Sequence, residues 1–543
     1  MFSKNQIIPL TIESITSDGN GVGHAEGIAV FVPLSAPGDI LKVRIVKVQK
    51  SFCYGIIEEI VTPSPDRIEP SCACFRRCGG CSLQHIRYEA ELGQKQRWVR
   101  DAMHRIGGFT AEPLPILPSP AHERYRNKAQ YPFGKDKNGC FTGFFAPRSH
   151  TVIPCGDCPL QPHIFAEIAH SVCRFADRHN IPVYEEATGQ GLLRHLYLRQ
   201  AAKDDSVMLC LVINGERLPH AEEFLRQITG EFPAVSTILL NHNTRRDNVI
   251  LGEWETVLLG DGILQDTLCG VQVSLSPRSF YQVNHAAAEI LYREAARLAD
   301  LQPQETLLDL YCGAGTIGLS MVRPGQKLIG VEVVESAVQN ARQNAAKAGL
   351  RHAEFICADA GQAAQILAAR GERPDVIVLD PPRKGCDSAT LQAVVRMAPS
   401  RIVMVSCNPA TMARDVAGLR ELGYPLKCYR PVDLFPRTAH VETVVLLSKG
   451  EVDSKKIRVE FSLEDMDMSE FQDGATYTQI KDYVLEHNGL KVSNLYISQI
   501  KRKCGIEVGK NYNLPKSEDS RQPQCPPEKE KAIRETFKYL GMI

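Results

Sequence analysis

The sequence lacks any run of apolar residues long enough to cross a membrane. Its N-terminus also lacks the apolar block of a secretory signal peptide, because residues 6–13 alternate between apolar and polar side chains. These two absences argue against a membrane protein and against an exported one. We therefore expect a cytoplasmic protein that makes no contact with a membrane.

The sequence also lacks a net charge, since 63 Lys and Arg residues balance 63 Asp and Glu residues. Overall charge therefore neither requires nor excludes a nucleic-acid partner, and the local distribution of charge matters more. The 18 cysteines are not accompanied by an export signal. We expect them to be free thiols and metal ligands, because reducing compartments disfavour disulfides.

With 543 residues the chain is too long for one hydrophobic core, so several domains are expected. Changes in its pattern predict a multidomain α/β protein with four segments, at residues 1–62, 63–272, 273–450 and 451–543. We predict an OB-like β-barrel in the first and an α+β domain in the second. The third is predicted to be a doubly wound, Rossmann-like domain, and the fourth a small extension of unknown role.

The first segment contains short, alternating, strand-like runs that are separated by glycine turns such as Asp18-Gly-Asn-Gly21. This pattern predicts a small barrel of about five strands. Barrels of this kind often bind single-stranded nucleic acid, and a spacer or oligomerisation module is the alternative.

The second segment begins with four cysteines and a Gly-Gly pair within ten residues, namely Cys72, Cys74, Cys78 and Cys81. Cys72, Cys78 and Cys81 form a C-x5-C-x2-C spacing, which is typical of a metal-binding loop. A fourth soft ligand is then needed, and Cys155 and Cys158 are the candidates. Thiolate ligands suit structural zinc and an iron–sulfur cluster equally, so the spacing does not choose between them.

From Glu305 onward, strand-like and helix-like runs alternate, which predicts a parallel, doubly wound sheet. The first strand ends in a glycine turn, Tyr311-Cys-Gly-Ala-Gly315, where the backbone can approach a bound nucleoside closely. Glu332 ends the second strand, at the distance where an acid accepts hydrogen bonds from ribose hydroxyls. Asp359 follows the third strand and can contact an adenine amine.

The fourth strand of this domain ends in Asp380-Pro-Pro-Arg383. The two prolines fix an extended, rigid loop, which suits a group that holds a planar amide or amine by hydrogen bonds. A nicotinamide enzyme has no evident use for such a loop. The favoured cofactor is therefore S-adenosylmethionine.

Cys407 follows the apolar run 402–405 and precedes a helix-like stretch. This places it at the carboxyl end of a strand, where open α/β sheets carry their chemistry. A cysteine there can act as a nucleophile if a helix N-terminus or a cation stabilises its thiolate. On this stretch alone, a buried core cysteine is the alternative.

Together these motifs resemble the RNA uracil-5-methyltransferase family, specifically its RumA/RlmD-type branch, which acts on 23S ribosomal RNA. The resemblance covers about residues 5–449, and the barrel looks like a TRAM domain. Beside the cysteine loop, its motifs are Phe280-x-Gln282-x-Asn284, Asp380-Pro-Pro-Arg383, Ser406-Cys-Asn-Pro409 and His440-Val-Glu-Thr443. Their order along the chain is the order found in the family.

The resemblance implies a [4Fe-4S] cluster that is bound by Cys72, Cys78, Cys81 and Cys158. Cys158 is preferred to Cys155 because it opens the stretch Cys158-Pro-Leu-Gln161, which is similar to one in the family. Zinc is the alternative metal. Cys74 does not fit the pattern and is expected to be an ordinary thiol.

The resemblance and the strand ends together predict the residues of the active site. The residues expected to bind S-adenosylmethionine are Gln282, Tyr311, Gly313, Gly315, Glu332, Asp359 and Asp380. Phe280 is expected to face the target base, and Asp380 is also expected to hold the uracil edge. Cys407 is the expected nucleophile and Glu442 the expected base.

The chemistry of the reaction explains these residue types. Carbon 5 of uracil is too weak a nucleophile to accept a methyl group until a thiolate adds to carbon 6. After methyl transfer a base must remove the proton from carbon 5 so that the thiolate can leave. The target base must also leave its stack to enter the site.

Two alternatives concern the substrate, namely a transfer-RNA uridine and a cytosine that a cytosine-5 RNA methylase would modify. Typical members of the transfer-RNA branch lack the cysteine loop and the barrel, so the sequence favours 23S ribosomal RNA and a monomeric enzyme. Residues 451–543 extend beyond the point where sequences of this family usually end. Two hypotheses for this extension are an RNA-docking appendage and a protein-interaction module. We expect helices at 477–487 and 528–540 and a loop at 513–527.

Overall fold

The computed structural model describes residues 2–450, 477–488, 490, 492–504 and 525–539. The chain divides into two compact units, Met1–Glu451 and Val452–Ile543. No helix within the described residues is both long enough and apolar enough to span a membrane.

The first unit begins with six strands, β1 (Ile7–Thr11), β2 (Ser14–Ile15), β3 (Asn20–Ala25), β4 (Ile28–Pro33), β5 (Ile40–Val48) and β6 (Phe52–Thr62). They form one sheet in the order β1-β5-β6-β4-β3-β2. Alternate side chains of β1 and β5 are buried, as the sequence predicts, in a core that includes Val30, Leu41 and Val43. The sheet has one strand more than predicted, because β2 has only two residues and cannot show alternation.

The next part of the chain contains a central sheet and three helices. In chain order its elements are α1 (Tyr88–Arg105), β7 (Lys128–Asp136), β8 (Gly139–Phe145), β9 (Val152–Pro154), α2 (His163–Arg178), β10 (Leu193–Gln200), β11 (Val207–Ile213), α3 (Ala221–Glu231), β12 (Val235–His242) and β13 (Trp254–Leu259). Its strand order is β13-β12-β11-β10-β7-β8-β9. All neighbouring strands are antiparallel except β11 and β12, which are parallel. Helices α2 and α3 share an apolar core with this sheet.

The last part of the first unit contains β14 (Leu264–Leu268), β15 (Val271–Leu275), α4 (His285–Ala299), β16 (Thr306–Leu310), α5 (Thr316–Met321), β17 (Lys327–Glu332), α6 (Glu335–Lys347), β18 (Ala353–Cys357), α7 (Ala360–Ala369), β19 (Val376–Leu379), α8 (Ser388–Arg396), β20 (Arg401–Ser406), α9 (Pro409–Glu421), β21 (Leu426–Val432) and β22 (Glu442–Ser448). Strands β14 and β15 form a hairpin. The other strands form a seven-stranded sheet in the order β18-β17-β16-β19-β20-β22-β21.

Five strands of this last sheet are parallel. Strand β22 runs antiparallel to β20, and the edge strand β21 runs antiparallel to β22. Successive residues of each strand enter two different apolar clusters, as Leu307 and Leu308 of β16 do. Both faces of the sheet are therefore covered, which explains why its strands are continuous apolar runs. The predicted doubly wound fold is confirmed.

The second unit contains three described helices, α10 (Tyr477–Asn488), α11 (Asn494–Lys503) and α12 (Pro527–Tyr539). They share a small apolar core that includes Ile480, Ile497 and Phe537. Helices α10 and α12 cover most of the two stretches predicted to be helical, and α11 is additional. Most of the predicted loop, residues 513–524, lies outside the described residues, as do residues 451–476.

Candidate active site and thiol cluster

The predicted catalytic residues lie at one edge of the seven-stranded sheet. Strands β16, β19 and β20 are parallel neighbours, so their carboxyl ends meet at this edge and are followed by Tyr311, Asp380 and Cys407. Strand β22 runs in the opposite direction, so its first residue, Glu442, lies at the same edge. The topology thus brings together residues that lie up to 131 positions apart in the sequence.

Cys407 and Glu442 face each other across the end of the β20–β22 ladder. Ser406 pairs with Thr443, so the next position places Cys407 opposite Glu442. The Glu442 side chain is buried, whereas Cys407 is partly exposed. A buried carboxyl group therefore lies beside a thiol that solvent or substrate can reach.

Burial and like charges raise the pKa values of the acidic groups in this site. Burial raises the pKa of Glu442 to about 8, with a further contribution from the charge of Asp380. Burial also raises the pKa of Asp380 to about 7. The pKa of the Cys407 thiol is raised by burial and by Glu442, although a hydrogen bond from Arg383 favours the thiolate.

Arg383 is a functional residue to which the sequence assigned no role. Its backbone carbonyl accepts hydrogen bonds from Asn408 Nδ2 at 3.1 Å and from Thr411 Oγ1 at 3.2 Å. Its Nη2 atom lies 3.2 Å from the ring of His440, whose pKa is lowered by burial and by this cation. The presence of Arg383 and His440 in two of the sequence motifs could have indicated this contact.

The helix that follows Cys407 also favours its thiolate. Asn408 is the N-cap of α9, and its side chain accepts a hydrogen bond from Ala410 N at 3.1 Å. Cys407 therefore lies at the N-terminus of a 13-residue helix, where the helix dipole stabilises negative charge.

The glycine turn after β16 forms the other half of the site. Glu332 accepts a hydrogen bond from Gly313 N at 3.1 Å, and from Val333 N at 2.9 Å and Val334 N at 3.0 Å. A Cβ atom at Gly313 would meet no atom within 4 Å. Tyr311 adopts a left-handed backbone conformation, with φ of 65°. The turn therefore presents backbone and the Glu332 carboxylate to an open space beside the sheet.

Gly315, by contrast, is constrained by packing. Its φ is 79°, and an added Cβ would lie 3.1 Å from Phe355 and 3.2 Å from Ala341. Only glycine fits this combination of backbone angle and close approach.

Asp359 has a structural role that the sequence did not indicate. Its side chain accepts a hydrogen bond from Gln362 N at 2.8 Å, while Gln362 Oε1 accepts one from Asp359 N. The two residues form a capping box at the start of α7. Contact between Asp359 and an adenine amine stays a prediction.

Asp309 is a second residue that sequence reasoning missed. It is buried in β16, and burial raises its pKa to about 7. Its Oδ2 atom accepts a hydrogen bond from Gly318 N at 2.8 Å, but Oδ1 has no partner among the described residues. The sequence signal that could have indicated Asp309 is an acid inside an apolar strand, just before the glycine turn.

The stretch before α4 combines one exposed ring with buried amides. Phe280 is 78% exposed, whereas Gln282 is buried and lies beside the Tyr292 hydroxyl. Asn284 caps α4, and its Nδ2 donates to Ser119 Oγ and Leu434 O, both at 3.0 Å. The amides hold the stretch in place, so Phe280 is presented to solvent from a fixed base.

The four predicted metal ligands form a cluster of thiols. Burial, together with the neighbouring thiols Cys158, Cys78 and Cys72, raises the pKa of Cys81 to about 12. The pKa values of Cys72 and Cys78 are raised by burial and by the neighbouring thiols Cys158 and Cys74. Thiols that disfavour one another's ionisation become compatible when a cation lies between them, so this donor set fits a thiolate-bound metal.

Hydrogen bonds to sulfur distinguish the members of this cluster. Gly80 N donates to Cys78 Sγ and Gln84 Nε2 donates to Cys81 Sγ, both at 3.3 Å, as is common at metal-bound thiolates. The Cys74 thiol instead donates to the Pro154 carbonyl at 3.2 Å, as a protonated thiol does.

Cys155 and Cys158 lie within hydrogen-bonding reach of each other. The structure therefore offers both sulfurs as the fourth ligand, and the choice of Cys158 stays a prediction.

The chain matches two known family models. The tRNA (uracil-5-)-methyltransferase model matches residues 271–450, and the TRAM domain model matches residues 2–57. The chain is 41% identical to an uncharacterized RNA methyltransferase of Halalkalibacterium halodurans, over 82% of this chain and 97% of that protein. It is 38% identical to an uncharacterized RNA methyltransferase of Clostridium tetani, with the same coverage.

A solved structure is similar over most of the chain. It is the tRNA (uracil-54, C5)-methyltransferase of Pyrococcus abyssi in complex with S-adenosyl-L-homocysteine. The sequence identity is 28% and the TM-score is 0.66, over 81% of this chain and 100% of the archaeal chain.

Proposed function

Because the chain belongs to the RNA uracil-5-methyltransferase family and carries a TRAM domain, we propose that it methylates carbon 5 of one uridine in 23S ribosomal RNA. The family uses S-adenosylmethionine as methyl donor. The observation that carries the proposed mechanism is the position of Cys407 opposite the buried Glu442, with Arg383 within hydrogen-bonding reach of the Cys407 sulfur.

In the first step, the Cys407 thiolate adds to carbon 6 of the uracil. A new S–C6 bond forms, and the electron pair of the C5–C6 double bond moves toward the carbonyl oxygen at carbon 4. Arg383 and the N-terminus of α9 stabilise the thiolate before this attack. Carbon 5 thereby becomes a nucleophile, and bound S-adenosylmethionine supplies the electrophilic methyl group.

In the second step, Glu442 accepts the proton from the methylated carbon 5. The electron pair of the C5–H bond restores the C5–C6 double bond, and the S–C6 bond breaks to release the Cys407 thiolate. A carboxylate with a pKa of about 8 is well matched to proton transfer near neutral pH. Asp380 is proposed to accept a hydrogen bond from N3–H of uracil, which cytosine lacks.

For the donor we propose the predicted set of binding residues. Glu332 would accept hydrogen bonds from the ribose hydroxyls, since its carboxylate already faces the open side of the glycine turn. Gly313 and Gly315 would let the backbone approach the nucleoside. Tyr311 and Gln282 would line the same space, and Asp359 would contact the adenine amine.

We further propose that Cys72, Cys78, Cys81 and Cys158 bind a [4Fe-4S] cluster, with zinc as the alternative. The cluster would hold the loop together, because the reaction needs no electron transfer. Anaerobic purification is expected to give a brown protein with iron and sulfide, and Cys81→Ser to lose them. Cys74→Ser is the matched control and is expected to keep full iron content; stoichiometric zinc without sulfide would overturn the cluster.

The substrate is tested by methyl transfer from labelled S-adenosylmethionine to unmodified 23S ribosomal RNA and to bulk transfer RNA. Digestion to nucleosides identifies the product. We expect 5-methyluridine in the ribosomal RNA alone, and none from Cys407→Ala. Label in the mutant reaction would remove Cys407 from the mechanism.

Transfer RNA is the second candidate substrate, and the archaeal structure favours it. That transfer-RNA enzyme is matched along its whole length and over 81% of this chain. The overall domain content therefore does not show whether the substrate is ribosomal RNA or transfer RNA. Label in transfer RNA alone would keep the proposed chemistry and change the substrate.

A further inference from the structure

A cavity lies against the central sheet, and its lining residues are not part of the site around Cys407. Its volume is about 390 Å³, within the range of small-molecule sites, about 300–1,000 Å³. Aromatic and cationic side chains dominate its wall, namely Phe133, Phe145, His150, Tyr184, Arg194 and His195. We refer to this cavity as the Arg194 pocket.

Two buried polar groups of the Arg194 pocket lack partners. Arg194 and His195 are 6% and 7% exposed, and Arg194 Nε and His195 Nδ1 make no hydrogen bond among the described residues. Arg194 is held in place, because its Nη1 donates to Asn243 O at 2.8 Å and to Arg245 O at 2.6 Å. Its guanidinium also lies 4.4 Å from the centre of the Tyr184 ring. Arg194 therefore forms a fixed, positively charged part of the cavity wall.

The rest of the wall is suited to a flat ring. The Phe145 ring meets His150 edge-on at 5.9 Å and His195 at 6.4 Å. Burial lowers the pKa of His195 to about 4, so its imidazole is neutral. At the rim, His150 Nδ1 lies 2.6 Å from Glu186 Oε2, so this carboxylate is already paired. The ligand that fits is planar, uncharged and able to form hydrogen bonds.

We propose that the Arg194 pocket binds one unstacked nucleobase of the substrate RNA, at a position other than the methylated uridine. This inference rests on the proposed function, which provides RNA as the substrate. Proteins that read single-stranded RNA stack splayed bases on aromatic rings and on arginine planes, and they hydrogen-bond the base edges. Phe145 would provide the stacking surface, while the Arg194 side chain, which also lines the cavity, would lie against the base.

The strand that carries the pocket also reaches the active-site region. Arg194 and His195 lie at the start of β10, and Arg199 near its end donates to Ser276 O at 3.3 Å and Ser279 O at 2.9 Å, next to Phe280. Five residues of strand span about 16 Å. An RNA whose target base enters beside Phe280 can therefore reach the pocket with a nearby nucleotide.

The test measures steady-state methylation of the RNA that the wild-type protein modifies. Phe145→Ala is expected to raise KM for this RNA by about 5- to 150-fold, the range typical of one lost base stack. Its kcat at saturating RNA is expected to stay within twofold of wild type. His150→Ala, an exposed rim residue whose loss does not threaten folding, is expected to raise KM in the same direction.

Trp254→Ala is the matched control, because this residue is 75% exposed on β13 at the far edge of the same sheet. An unchanged KM is expected for it. Wild-type KM values in both pocket variants would overturn the proposal, as would an equal increase in Trp254→Ala. Failure of the wild-type protein to methylate any uridine would instead overturn the proposed function.

A second measurement identifies the base. Abasic nucleotides are placed one at a time around the target uridine. We expect one position at which the missing base raises KM for wild type but not for Phe145→Ala, since both changes remove the same contact. Independent effects at every position would mean that no base occupies the pocket.

Discussion

At the scale of single residues, the site combines a thiol and a carboxyl group that both prefer to be neutral. The pKa of Cys407 is raised by burial and by Glu442, that of Glu442 is raised by burial and by Asp380, and Arg383 lowers both. The reaction needs both as anions, at different moments. The negative charge that each group needs is therefore expected to form readily only when Arg383 and the bound substrate stabilise it.

This arrangement predicts a trapped intermediate. Glu442→Gln keeps the size and burial of the side chain but removes the base. We expect this variant to add Cys407 to the uracil and transfer the methyl group, yet fail to lose the proton at carbon 5. A covalent protein–RNA complex that survives denaturing electrophoresis should accumulate, while turnover falls by about 100-fold or more. Cys407→Ala is the control, because it cannot form the covalent complex. Normal turnover in Glu442→Gln would exclude Glu442 as the base.

The rate should also depend on pH. Because the pKa of Glu442 is raised to about 8, only a small fraction is ionised at pH 7. We expect kcat to rise with pH through about 8 and to continue to rise above it, because the pKa of the Cys407 thiol is raised as well. Alkylation of Cys407 by iodoacetamide across the same pH range measures the thiol separately. A rate that is flat between pH 6 and 9 would contradict the raised pKa.

The same group should destabilise the fold at high pH. The pKa of Glu442 is higher in the folded protein than its ordinary value of 4.5, so the folded state binds its proton more tightly. Stability from this group is complete below pH 4.5 and is lost as pH rises toward 8. Glu442→Gln cannot ionise, so its free energy of unfolding relative to wild type should increase between pH 5 and pH 8. Urea denaturation at both pH values measures this, and a constant difference would contradict it.

At the scale of strands and helices, the sequence predicted much of the site. Continuous apolar runs and the residues that end them located Tyr311, Asp380 and Cys407 at one sheet edge. The topology of the central sheet was not predictable, because its antiparallel pairs and its one parallel pair look alike in sequence. The contact of Arg383 with Cys407 was also not predictable, because it depends on side-chain direction after a turn.

Asp359 has one observed role and one predicted role. It caps α7 and is also predicted to contact the cofactor. Asp359→Ala should cost about 1 kcal/mol of stability through the lost cap. Asp359→Ser keeps a capping oxygen but shortens the side chain, so stability should change little while affinity for S-adenosylhomocysteine falls by about tenfold. Calorimetric titration measures the affinity, and unchanged binding by Asp359→Ser would leave Asp359 as a cap alone.

At the scale of the whole molecule, helix α1 joins distant parts of the first unit. Trp98 Nε1 donates to Ile15 O at 2.6 Å in the N-terminal sheet, and Lys95 pairs with Asp433 at 2.7 Å beyond β21. Lys95 is fully buried and also pairs with Glu91 at 2.8 Å. Sequence spacing could not reveal that Lys95 is a buried partner of a residue 338 positions away.

The second unit, finally, is expected to contribute little to RNA binding. Lys503 of α11 and Arg534 of α12 share the Glu530 carboxylate, at 2.6 and 3.0 Å, so one of these two positive charges is already balanced. Every proposed catalytic residue and metal ligand lies in the first unit. A chain that ends at Gly450 should therefore keep its kcat and its KM for ribosomal RNA within about twofold. The dependence of binding on salt should also stay the same, because each lost phosphate contact would lower the slope of log K against log salt by about 0.7–0.9. A higher KM together with a lower slope would instead identify the second unit as an RNA-docking appendage.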